Sequence, residues 1–113
     1  MGCLFCNIVS GKIEANVVLD EQHALAFRDI HPVASTHVLV VPKKHIVSLA
    51  DATEEDVEIL GRVLLAARRV AEIDGVHESG FRTVFNNGPN ANQTVHHLHL
   101  HVIGGRVMKW PPG

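Results

Sequence analysis

Two rhythms of apolar residues run through this 113-residue chain. One has the period of a helix. Val57, Leu60, Leu64, Ala67 and Ala71 recur three or four positions apart and predict one long helix over Thr53–Ile73, with that stripe facing a core. Thr53 with Asp56 three residues on is a capping-box arrangement, and Glu54 and Glu55 add negative charge to the first turn. Arg68 and Arg69 lie towards the other end, and Gly75 is a stop signal. The other rhythm is that of extended chain. Val17–Leu19 and Ala24–Phe27 read as two strands joined by a polar turn, and His37–Val41 as a compact apolar strand ended by Pro42. Phe81–Phe85 alternates as a strand, and Val95–Ile103 reads as the last one, ended by Gly104-Gly105. With one or two helical turns over Leu4–Ser10, this order predicts a single α+β domain spanning residues 1–113. Its strands are mostly antiparallel, and the long helix packs on one face.

The last strand carries the first sign of chemistry. Successive side chains of a strand point to opposite faces, so His96, Leu98, Leu100 and Val102 separate from His97, His99 and His101. The apolar set belongs under the helix, and the three imidazoles form a ridge opposite. Such a ridge is a wet polar face, a metal site or a catalytic surface for phosphorus, where a neutral imidazole is a good nucleophile. The flank favours the last. Asn86–Thr94 is a loop of small and amide residues whose backbone N–H groups, side-chain amides and Thr94 hydroxyl suit phosphate oxygens.

Composition narrows the classes. Histidine is used nine times and tyrosine not at all, and the net charge is −2 with histidine neutral. That balance excludes a nucleic-acid backbone or an anionic membrane as the main partner. No apolar run is long enough to span a bilayer, and residues 1–10 lack the basic and apolar regions of a secretory signal. The expectation is a cytoplasmic protein, where Cys3 and Cys6 are not a structural disulfide.

His97-Leu98-His99-Leu100-His101-Val102-Ile103 resembles the His-φ-His-φ-His-φ-φ signature of the histidine-triad family. Phe27-Arg28-Asp29-Ile30, Pro42-Lys43-Lys44-His45-Ile46 and the ending from Gly104 through Trp110 to Gly113 are similar to its Hint branch, the nucleoside phosphoramidate hydrolases. The resemblance implies a five-stranded antiparallel sheet with one long and one short N-terminal helix. It also implies a homodimer with a continuous ten-stranded sheet. It implies hydrolysis of purine nucleoside 5′-phosphoramidates, with His99 as the nucleophile that forms a nucleotidyl-histidine. His101, His97 and Thr94 would complete the catalytic set, Thr94 standing where the family usually has serine. Asp29 would accept the ribose hydroxyls, and Phe5, Ile8, Ile13, Phe27 and Ile30 would hold the base of an AMP- or GMP-type nucleotide. Asn86, Asn92, Gln93, Thr94 and Val95 would line the phosphate site, and Trp110 would lie near the leaving group. Dinucleoside polyphosphates or adenylylated compounds are alternative substrates on the same machinery. A zinc- and nucleotide-binding regulatory module without turnover is the non-enzymatic alternative.

Cys3-Leu4-Phe5-Cys6 has the spacing of a zinc ligand pair and also of a redox motif. Resemblance to bacterial-type members of the family implies structural zinc on Cys3, Cys6, His45 and His97, outside the chemistry itself.

Overall fold

Alternation decides which side of the sheet each strand residue serves. The computed structural model describes residues 2–113. Its sheet contains β1 (Val17–Asp20), β2 (Ala24–Arg28), β3 (Thr36–Pro42), β4 (Phe81–Phe85) and β5 (Leu100–Gly104), in the order β1-β2-β3-β5-β4. Every neighbouring pair is antiparallel. On one face Ala24, Ala26, Val38, Val40, Leu100 and Val102 meet Val63, Ala66, Ala67 and Val70 of the long helix α2 (Val57–Ile73). On the other face Leu25, Phe27, Leu39 and Val41 meet Phe5 of the short helix α1 (Leu4–Val9). Ala24–Phe27 of β2 and Val38–Val41 of β3 are therefore apolar on both faces, as expected of strand segments covered on both sides.

The helix begins as its sequence predicts. Thr53 and Asp56 form the reciprocal capping box around a 3-10 turn at Glu54–Asp56, and α2 follows directly. Its buried stripe differs from the expected one. Ala67 and Ala71 are buried, but Val57 and Leu64 are 64% and 51% exposed, and Val63, Ala66 and Val70 take their place. The packed face is rotated by roughly one-fifth of a turn at 100° per residue. The reason is size: alanine and valine let the helix sit close on a sheet face built from Ala24, Ala26, Val38 and Val40.

The last strand is also shorter than expected. β5 starts at Leu100, and Val95–His99 is irregular. The β3–β5 ladder ends at Val40↔Leu100. Continuing it would oppose Leu98 to Pro42, which has no N–H to give. Leu98 N–H instead donates to the Ile46 carbonyl at 2.6 Å, and the Pro42 carbonyl accepts from the His97 ring at 2.8 Å. This break in the ladder brings the histidines to the site with three different surroundings.

Candidate active site

On the α1 side of the sheet a cavity of about 670 Å³ opens between α1, residues 13–16, the end of β2 and residues 94–101. Phe5, Ile8, Ile13, Phe27, Ile30 and Val95 from the expected set line it, together with Asp29, Thr94, His99 and His101. Its apolar surface with a few convergent polar groups is the character of a small-molecule site. Four residues expected to bind substrate do not line it. Asn92 is exposed in the left-handed region (φ 62°), and Trp110 is 81% exposed. Asn86 is half-buried at the end of β4. Gln93 is buried and braces the loop. Its Nε2 donates to the Val47 and Val95 carbonyls at 2.7 and 3.0 Å, and its Oε1 accepts from Gly88 N–H at 2.9 Å. All three of those amide positions are thereby engaged within the fold.

Backbone partners decide where each ring of the triad carries its proton. A carbonyl oxygen only accepts, so a ring nitrogen facing one must be the donor. His99 Nδ1–H donates to the His97 carbonyl at 2.8 Å, which leaves Nε2 with the lone pair. No other side-chain hydrogen bond is made by His99 among the described residues. His97 Nε2–H donates to the Pro42 carbonyl, which leaves its Nδ1 with a lone pair. Phe5 stands edge-on to both rings, at centroid distances of 6.0 Å from His97 and 5.1 Å from His99.

The His97 lone pair faces three further donors. Its Nδ1 lies 3.3 Å from Cys3 Sγ, 3.5 Å from Cys6 Sγ and 3.2 Å from His45 Nδ1, and Cys6 Sγ lies 3.3 Å from His45 Nδ1. Zn–N bonds of about 2.0 Å and Zn–S bonds of about 2.3 Å give tetrahedral N···N and N···S edges of roughly 3.3–3.5 Å, so these residues fit a Cys₂His₂ zinc site. Its neighbours hold the donors in place. Cys3 caps α1 by accepting Cys6 N–H, and Lys44, next to His45, reaches Asp56 of the capping box at 2.6 Å. Burial, then the neighbouring Cys3, pushes the Cys6 thiol up. A bound cation would reverse that by favouring the thiolate.

A second cluster lies on the other side of His99. His37 Nε2 is 2.9 Å from His101 Nδ1 and 3.4 Å from Asp29 Oδ2. These atoms also lie within metal-ligand spacing, but the protons argue against a metal. Val33 N–H donates to His37 Nδ1 at 3.1 Å, so the neutral ring carries its proton on Nε2, pointing at His101. His101 Nδ1 then accepts, and its own proton sits on Nε2. That Nε2 is the one buried side-chain polar atom without a partner among the described residues. It is a donor in the cavity wall awaiting an acceptor. Burial pushes His101 down to about 4, helped by His99 and His37 and opposed by Asp29, and burial also lowers His37. Both rings are thus neutral at pH 7.

His37 is the residue of the candidate site that the sequence did not single out. It heads an apolar strand and is itself 6% exposed, and a buried polar residue opening the run Val38–Val41 was the available signal.

The HIT domain profile matches residues 10–108 of the chain. A crystal structure of a HIT family hydrolase from Legionella pneumophila superposes with a TM-score of 0.97 at 48% identity, covering 99% of this chain and 100% of that one. A 14 kDa zinc-binding protein of Zea mays is 46% identical over 97% of this chain and 87% of its own length. An adenylylsulfatase, HINT1, of Arabidopsis thaliana is 46% identical over 97% of this chain and 76% of its own length.

Proposed function

The chain belongs to the HIT domain family, and from that premise we propose that it hydrolyses purine nucleoside 5′-phosphoramidates through a covalent nucleotidyl-histidine on His99. One observation carries the reading: a backbone carbonyl holds the proton of His99 on Nδ1, so the ring offers its Nε2 lone pair in the wall of a nucleotide-sized apolar cavity. The similarity to a solved HIT family hydrolase supports hydrolysis as the reaction class.

In this reading the base lies among Phe5, Ile8, Ile13, Phe27 and Ile30, and Asp29 accepts from the ribose hydroxyls. His99 Nε2 attacks the α-phosphorus as the bond to the protonated leaving nitrogen breaks, so that the electron pair goes to nitrogen and a neutral amine departs. The His101 Nε2–H donor meets the charge that develops on the phosphoryl oxygens or the departing nitrogen, with Thr94 hydroxyl alongside. Water then displaces His99 from phosphorus, giving the nucleoside monophosphate and the free imidazole. Two easier displacements replace one difficult one. Cys3, Cys6, His45 and His97 would hold a zinc ion with four protein ligands, which would tie α1 to the residues around His97 and serve the fold rather than the reaction. The 46% identity to a protein named for zinc binding supports its presence here.

The whole chain acts as one domain in the cytoplasm, where these thiols stay reduced. β4 is an edge strand with one side of its backbone unpaired, which supports a twofold dimer that continues the sheet to ten strands. The similarity to an adenylylsulfatase favours one second reading, hydrolysis of adenylylated sulfate by the same attack with sulfate leaving.

The test is rapid quenching with adenosine 5′-phosphoramidate, followed by mass analysis of the peptide carrying His99. A nucleotidyl adduct on His99 is expected. Turnover with no adduct on any histidine overturns the covalent reading, and comparison of rates with adenylylsulfate separates the two substrates.

A further inference from the structure

Most charged groups in the cavity wall are already engaged. Arg28 is held by Asp74 through hydrogen bonds of 2.7 and 2.9 Å. Asp29 accepts His31 N–H at 2.8 Å. Glu14 differs. It lines the cavity, yet it makes no ion pair and no side-chain hydrogen bond among the described residues. The backbone is pinned on both sides of it. Lys12 and Ile13 N–H both donate to the Asn7 carbonyl, and Arg28 N–H donates to the Asn16 carbonyl.

The sheet supplies a ruler for where Glu14 sits. His101 is on β5, Leu39 on β3, Phe27 on β2, and residues 14–16 lead into β1 at the far edge. At about 4.8 Å per strand, three steps separate the histidines from that edge by roughly 14 Å. A nucleotide lying across this floor, with phosphorus at His99 and ribose at Asp29, sends the outer rim of its base towards Glu14.

We propose that Glu14 reads the Watson–Crick edge of the base and makes the site prefer guanine over adenine. The assignment rests on the nucleotide reading above. A carboxylate only accepts hydrogen bonds. Guanine presents two adjacent donors, N1–H and the N2 amine, which match its two oxygens. Adenine presents one amine beside an N1 lone pair, which faces the carboxylate with like charge. The apolar walls here read shape alone, and of the two polar side chains at this edge, Glu14 and Asn16, only the carboxylate presents two acceptors and no donor, so it carries the discrimination.

Calorimetric titration of the intact protein with GMP, IMP and AMP tests this without turnover. Because Glu14 is exposed, GMP is expected to bind about five- to tenfold more tightly than AMP, with IMP between them because it lacks the N2 amine. Glu14→Ala should bring GMP close to the affinity of AMP, and Glu14→Gln, whose amide can donate to adenine N1 and accept from its N6 amine, should remove the guanine preference and tighten AMP, both with melting temperatures near the parent value. Equal binding of GMP and AMP by the parent, or a preference that survives in both variants, overturns the role of Glu14 alone. Failure of all three nucleotides to bind overturns the nucleotide reading and this assignment with it.

Discussion

Two clusters of donor atoms flank His99, and each gathers enough ligand-type side chains within 4.8 Å to hold a metal ion. In one, Cys3, Cys6, His45 and His97 converge; in the other, Asp29, His37 and His101. What separates them is the backbone group on the far side of one ring. At His97 that group is a carbonyl, so the proton goes outward and a lone pair faces the cluster. At His37 it is an amide N–H, so the proton goes inward and occupies the space a metal would need. The same residue types therefore fit a cation on one side of His99 and a hydrogen-bonded histidine pair on the other. Residue identity and spacing alone do not distinguish a ligand from a proton carrier.

The sharpest way to break this comparison is at the residue between the clusters. His99→Ala should lower turnover by at least about 10³-fold while AMP binding, read by calorimetry, and zinc content stay near parental values. A variant with substantial turnover would show that the nucleophile lies in one of the flanking clusters instead.

Next in size is the metal side. Cys6→Ser should release zinc, measured by elemental analysis, and lower stability by about 2 kcal/mol or more, near 10 °C in melting temperature. It should reduce turnover of the remaining folded protein less than that loss of stability suggests, because His97 presents its backbone carbonyl, not its ring, to His99. Equal melting temperatures with and without zinc would contradict a structural role.

The relay side should respond in the opposite way. His37→Ala should leave one zinc per chain and slow phosphoramidate turnover about 10- to 100-fold, since it frees His101 to carry its proton on the wrong nitrogen. The loss should shrink with a leaving group that departs without protonation. A loss of zinc in this variant would mean that the second cluster, too, binds metal.

The last effect is on stability against pH. The native pKa of His101 is about 4, below the ordinary 6.5, so between these values the unfolded chain binds a proton that the folded one does not. Stability from this ring is complete above pH 6.5 and is lost as pH falls towards 4, at no more than about 1.4 kcal/mol per pH unit. Denaturant titrations across that window should show the slope, and His101→Gln should reduce it.

Much of the site was legible because its residues are close in sequence. The alternation of His97, His99 and His101 with Leu98 and Leu100 marks one strand-like segment, and Cys3 with Cys6 marks a ligand pair. The capping box at Thr53 and Asp56 is equally local. Partners that meet across the sheet were not legible. His37 reaches His101 because Leu39 pairs with His101 on β3 and β5, a register that no local spacing encodes. The buried stripe of α2 was misplaced for the same reason: two faces of that helix are apolar, and only the small residues of β2 and β3 choose between them.

The sequence by itself determined the element order, the cap of the long helix and the alternation that sets His97, His99 and His101 apart from Leu98 and Leu100, because these follow from periodicity and residue chemistry along a short stretch of chain. Only the tertiary structure decided where each proton resides. That depends on which backbone group, carbonyl or amide, comes within hydrogen-bond reach of a ring. Here Pro42, which ends the β3–β5 ladder, supplies the carbonyl that orients His97, and Val33 supplies the amide that orients His37.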